Sequence, residues 1–299
     1  MISLRFIPLL TLALMACSVA VPVAAETPEN FQQENLVAWC IVPFDASKRG
    51  PAERAAMLDR LSLTRSAYDW RKEHIPTFEQ EILEYQRHGI EFFAFWGQHE
   101  DAFALFQKHR LSPQIWQTLR PGEGETQEAR IVDAADKLEG LARKTGALGL
   151  ELGLYNHGGW GGEPENLVAV CREMRKRGHE HVGIVYNFHH AHDRIDDWAN
   201  VFPLLQPYLH CLNLNGMVKG GDKTGRKILP LGQGDRELAM IRTVIESGYA
   251  GPVGILDHRS DTDTADTLQD NLDGLAWLLR EMERPGSGGE KPTPRAPVR

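Results

Sequence analysis

The sequence predicts an α/β fold of one domain, a closed (β/α)8 barrel (a TIM barrel), and three observations carry that expectation. From residue 36 onward apolar runs alternate with helical stretches, and the runs number eight, the count a closed parallel barrel needs. Two of them, 150–155 and 182–186, are continuously apolar rather than alternating, as expected of parallel strands buried on both faces. No Gly-rich dinucleotide turn follows the first run, which removes the main motif of an open doubly wound sheet.

Strands are expected over 36–42, 66–68, 91–96, 113–118, 149–155, 182–187, 208–214 and 252–256. The clearest helices between them cover 76–88, 127–145, 165–177, 236–247 and 265–282. In the third of these, Leu167, Val170, Cys171 and Met174 form one stripe, with Pro164 near the start and Gly178 just past the end. In the last, Leu268, Leu272, Leu275 and Leu279 do the same. Two long connections, 44–63 and 216–235, leave strands at their carboxyl ends, where such folds do their chemistry.

Composition narrows the partners. The 299 residues carry 42% hydrophobic and 25% charged side chains, ordinary for a globular domain, and a net charge of −8. That charge argues against nucleic acid or an anionic membrane as the main partner. Arg5, an apolar run over 6–16 and the small residues Val23-Ala24-Ala25 form a secretory leader over 1–25, too short to span a membrane. The expected product is an exported protein, periplasmic or extracellular, with a barrel over 26–283 and a disordered Pro- and Gly-rich tail over 284–299. Leu14-Met15-Ala16-Cys17 offers a second reading, a lipoprotein signal that lipidates Cys17. Cys40, Cys171 and Cys211, odd in number and scattered, give neither a disulfide framework nor a zinc site and read as buried small hydrophobes.

Chemistry concentrates beyond the fifth and sixth strands, at Tyr155-Asn156-His157 and Asn187-Phe188-His189-His190. His192 and His258 also lie beyond strand ends. Imidazole titrates near neutrality and ligates metals, so His157 and His190 are expected to form an acid/base pair, or to be the ligands if a metal is bound. Trp96 and Trp160 present flat faces for sugar rings. Lys219, Lys223, Arg226 and Lys227, in the loop after the seventh strand, supply charge for a phosphate or carboxylate. Export favours free or oxidised sugars and glycosides over sugar phosphates.

These motifs, with Asn213-Leu214-Asn215, Gly232-Gln233-Gly234-Asp235 and Gly248-Tyr249-Ala250-Gly251-Pro252, resemble the xylose isomerase-like barrels over nearly the whole of 35–282. That family comprises sugar phosphate isomerases and epimerases, with endonuclease IV as a distant relative. The resemblance implies a divalent metal held by Glu, Asp, His and Glu at four strand ends, where it polarises a sugar oxygen. In this chain those positions are Tyr155, Asn187, Asn213 and Leu256, and the Glu common in the Gly-x-Gly turn is Gln233. His190 keeps the family's Asp-x-x-His partner. A one-residue slip would bring Asp257 to the last position, but period-two alternation faces it away.

Neutral side chains hold hard cations poorly, so no metal is expected at the family positions, and no cofactor is assigned. What the resemblance carries over is the fold and a small carbohydrate ligand. The expected reaction is proton abstraction next to a sugar carbonyl: isomerisation, epimerisation or elimination from a keto-glycoside. His157 and His190 would form the pair, and Tyr155 would donate a proton. Asn156, Asn187, His189, Asn213, Asn215, Gln233, Trp96, Trp160, Lys219 and His258 would bind substrate. The alternative is a non-catalytic sugar-binding barrel. A repair nuclease fails on the acidic charge and on the missing ligands.

Overall fold

Eight parallel strands close on themselves in chain order in the computed structural model, which describes residues 27–297. The strands are β1 (Val37–Trp39), β2 (Arg65–Tyr68), β3 (Glu91–Trp96), β4 (Gln114–Thr118), β5 (Leu152–Tyr155), β6 (Val182–Asn187), β7 (Leu209–Leu214) and β8 (Val253–Leu256). Each pairs with the next, and β8 pairs with β1 to complete the barrel. The helices are α1 (Pro51–Arg60), α2 (Phe78–Arg87), α3 (Glu100–His109), α4 (Gln127–Ala147), α5 (Pro164–Lys176), α6 (Trp198–Leu205), α7 (Glu237–Glu246) and α8 (Thr264–Glu283). The predicted barrel is the observed one.

β3 and β6 occupy the residues expected of them, whereas β1 and β5 are shorter than their apolar runs. The 44–63 connection is not one loop. It contains α1, which starts on Pro51 and buries Ala55, Met57 and Leu58. The leader expected over 1–25, Cys17 included, lies outside the described residues. Among the described residues no helix is long and apolar enough to cross a membrane.

Alternation along the strands separates two cores. One face, including Ala38, Tyr68, Ile115, Leu154, Ile184, Tyr186, Leu212 and Ile255, joins the helices in the outer core. The other lines the barrel interior with Val37, Trp39, Phe93, Trp116, Tyr155, Val185, Cys211 and Leu256. Side chains fill the interior, as barrels of this size require. The runs read as continuously apolar because both faces are buried.

Among the described residues the segment after α8 carries no helix or strand, and it runs back over the barrel. Arg295 pairs with Asp270 at 2.7 Å and with Asp273 at 3.2 Å, and the Gln233 amide donates to the Pro292 carbonyl at 2.6 Å.

Gly254 shows how tightly the interior is packed. A Cβ there would collide with the Asn213 amide oxygen and stand 3.1 Å from the Val37 carbonyl. Overpacking a core costs about 1–3 kcal/mol. Gly254→Ala is therefore expected to lower the unfolding free energy by that amount, and an unchanged midpoint in a urea melt would contradict the packing.

Candidate functional site

At the carboxyl end of the barrel, bulky aromatic side chains close the interior and make a floor. Trp39 lies 4.8 Å from Trp116 and 5.7 Å from Trp96, ring centre to ring centre, and its indole N–H donates to the Tyr155 hydroxyl at 3.2 Å. The Trp96 and Tyr155 rings meet edge to face at 4.6 Å. Trp39, Trp116 and Tyr155 are buried, while Trp96 is partly open. Burial pushes the Tyr155 phenol well up, so it stays protonated.

Beside this floor three asparagines are bonded in series across three strands. The Asn213 amide donates to the Asn187 side-chain oxygen at 2.7 Å, and the Asn187 amide donates to that of Asn156 at 2.8 Å. The Asn187 backbone N–H also donates to Asn156, which returns a bond to the Asn187 carbonyl. All three side chains have zero exposure, so they brace β5, β6 and β7 rather than face a ligand. Asn215 holds the following loop instead, donating to the Gly216 and Lys227 carbonyls and accepting from the Leu229 N–H. As substrate contacts these four residues are corrected to structural braces, because their polar atoms are spent on each other and on backbone.

Above the floor sits a cluster of imidazoles. His157 and His190 lie 4.6 Å apart, His190 and His189 3.9 Å, and His189 and His258 5.7 Å. His190 packs edge to face on Tyr155 at 5.9 Å. Of the four, His157 is exposed, His190 and His258 are half-buried, and His189 is buried with its Nδ1 unpartnered. Burial first, then the Lys227 charge, pulls His190 down to about 2 and His258 down to about 4. Burial and Lys227 lower His157 in the same direction. His189 falls well below the usual range, through burial and then its imidazole neighbours. The cluster is thus electrically neutral around pH 7.

The remaining expected contacts lie elsewhere. The Trp160 indole donates to Gln127 at 3.1 Å and packs beneath Arg130, on the α4 side of the rim. Lys219 is exposed and paired with Asp196, and Gln233 is engaged by the tail. His192 is buried and bridges the Val218 and Lys227 carbonyls at 2.8 and 2.9 Å.

Sequence reading passed over one acid, Asp69, and set a second, Asp257, aside. At the end of β2, Asp69 is buried with one oxygen on the Val42 N–H and the other unpartnered, and burial pushes it up to about 8. Cys40, in a left-handed conformation beside it, has its thiol pushed up by burial and by Asp69 and Asp257. Asp257 faces away from the barrel axis, accepting from the Thr264 hydroxyl at 2.6 Å, and burial raises it to about 7. A lone polar residue ending an apolar run was the only sign of Asp69, and it resembles any turn.

Residues 71–281 match the xylose isomerase-like TIM barrel family. The chain belongs to that family. Among solved structures of this fold are the 3-keto-D-glucoside 4-epimerase of E. coli (14% identity, TM-score 0.61, 82% of this chain and 98% of that one) and D-psicose 3-epimerase determined with D-fructose (13%, 0.59, 84% and 100%). A third is the IOLI protein with a bound zinc atom (11%, 0.62, 83% and 98%). At these identities the likeness is one of fold. No curated protein matches the sequence.

The family's metal does not fit the residues of this xylose isomerase-like barrel. At the four ligand positions stand a phenol bonded to an indole, two amides bonded to each other and Leu256, which belongs to the apolar interior. Among the described residues no three His, Cys, Asp or Glu side chains are grouped to hold an ion.

Two measurements check this geometry. Asn187→Asp sets a carboxylate against the Asn156 oxygen it now donates to, and an unsatisfied buried polar group costs about 1–3 kcal/mol. The variant should lose that much unfolding free energy in a urea melt, and a variant as stable as the parent contradicts the amide series. Nitrogen-15 spectra of the His190 and His258 rings should show neutral imidazole at pH 5, because a depressed pKa leaves the ring unprotonated below the usual 6.5. A transition near 6.5 contradicts the burial.

Proposed function

We propose that this barrel binds a small carbohydrate at its carboxyl mouth and moves a proton next to the sugar carbonyl without a resident divalent metal. The observation that carries the reading is the His157–His190 pair, 4.6 Å between ring centres, standing over the aromatic floor. Trp96, the open member of that floor, gives a sugar ring an apolar face to stack on. His157, the exposed and less buried ring, takes the proton from the carbon beside the carbonyl. The electron pair passes to the carbonyl oxygen as an enediolate forms, and His190, held neutral, donates an N–H bond to that oxygen. A neutral imidazole can polarise a carbonyl in this way. Return of the proton from His157 to the neighbouring carbon gives the isomer, and delivery of a solvent proton to the opposite face gives the epimer.

Likeness of fold to sugar epimerases supports this reading, and the family supports its reaction class. Export through the leader over 1–25 is part of the proposal and accounts for a preference for free sugars.

Exchange of the carbon-bound proton tests it. Hexoses, ketoses and 3-keto-glucosides incubated with the protein in deuterium oxide should gain deuterium next to the carbonyl, as seen by proton NMR. General acid–base groups contribute about 10²–10⁴ in rate, so His190→Asn should slow exchange by at least about a hundredfold while the melting point holds. Retained exchange in that variant removes His190 from the mechanism. The acid limb of the rate should lie below pH 6.5, because burial and Lys227 make His157 harder to protonate. Sugar binding without exchange would instead favour the non-catalytic barrel, which the neutral residues at the ligand positions also favour.

A further inference from the structure

The charge at the barrel mouth is the reverse of what a cation site needs. The family's carboxylate positions are neutral here, the nearby acids Asp69 and Asp257 are both raised by burial, and four imidazoles stay uncharged. Two positive charges act on them, Lys227 and Arg71, whose guanidinium lies over the Phe44 ring that packs on His258. Lys227 is half-buried, which lowers its pKa against the opposing charge of Asp222, and among the described residues no carboxylate is paired with its ammonium. Its field reaches His157, His189, His190 and His258 alike.

Lys227 is also held in place. Its carbonyl accepts from buried Asn215 at 2.9 Å and lies 2.9 Å from the Nε2 of buried His192, and the next residue, Ile228, packs on the barrel interior. The 216–235 connection is tied down at both ends, since the Glu237 carboxylate accepts from the Met217 and Gly234 N–H groups. Buried side chains therefore spend their hydrogen bonds on fixing, at the barrel mouth, the backbone of a lysine whose ammonium has no carboxylate partner among the described residues. A half-buried cation without a counter-ion costs stability, and such groups are kept where a ligand supplies the opposite charge. Buried His189 adds an unpartnered ring nitrogen in the same cluster.

We propose that Lys227, with the N–H group of His258, forms a carboxylate-binding site beside the His157–His190 pair, so that the sugar received at the mouth is an acidic one of the uronic or aldonic class. The inference rests on the sugar-binding reading and adds the charge of the ligand. Lys219, which the sequence favours for an anion, is paired with Asp196 and takes no part.

Calorimetric titration of the purified protein with D-glucuronate, D-glucose and acetate tests it. A charge-assisted hydrogen bond lost on removing the carboxylate corresponds to about tenfold or more in affinity. D-glucuronate should bind at least about tenfold tighter than D-glucose, and added salt should weaken only the former. Lys227→Met should erase the difference and leave D-glucose binding unchanged, and Lys227→Arg should restore part of it. The side chain packs in no core, so Lys227→Arg should melt with the parent, and Lys227→Met, freed of the uncompensated charge, no earlier than the parent. Equal binding of the two sugars, or a preference that survives in Lys227→Met, overturns the inference and leaves the sugar reading standing. Acetate binding as tightly as D-glucuronate, with D-glucose silent, overturns the sugar reading and leaves a bare anion site. Silence from all three probes overturns both.

Discussion

Hydrogen bonding among Asn156, Asn187 and Asn213 fixes what the mouth of this barrel can hold. Each amide offers a donor and an acceptor, and the series uses them in one direction, from Asn213 through Asn187 to Asn156. Such a chain is stable in a buried place because every link is neutral and satisfied. It also makes any single carboxylate unwelcome, since an acid in the middle has no proton to pass on. The neutrality of these strand ends is thus a structural state shared by three strands rather than three separate losses.

With no anion at the strand ends, other groups set the electrostatics. Imidazoles crowded beside an apolar floor lose their protons to burial, and a lysine presented by the β7–α7 connection becomes the dominant charge. The barrel keeps its strand order and its packed interior beneath a mouth whose strand ends carry amides, a phenol and Leu256. The aromatic floor desolvates the imidazoles and leaves Trp96 partly open at the mouth.

Much of the fold was legible from the chain. β3 and β6 fell where continuous apolar runs ended in polar residues, and α5 lay on the stripe of Leu167, Val170, Cys171 and Met174. Asp257 was read correctly as facing away, from alternation alone. The site was less legible, for a reason particular to polar residues: a type at a strand end does not say whether its hydrogen bonds are already spent. Asn187 and His190 looked alike as candidates, yet one is locked to its neighbours and the other lies half open in the cluster. The lysines of the β7–α7 connection were equally ambiguous, because pairing of Lys219 with Asp196 is a long-range contact no local pattern encodes. Helix α1 was missed because Pro51 and the glycine before it read as loop until the buried Met57 and Leu58 are seen.

The filled interior has one further result. Trp39, Trp116 and Tyr155 take up the depth in which a ligand could otherwise sink, so recognition is left to residues just beyond the strands and on the loops. Loops tolerate exchange of side chains far better than a packed barrel does. Ligand preference in this lineage can therefore drift through changes in a few loop positions, with little effect on the stability of the scaffold beneath.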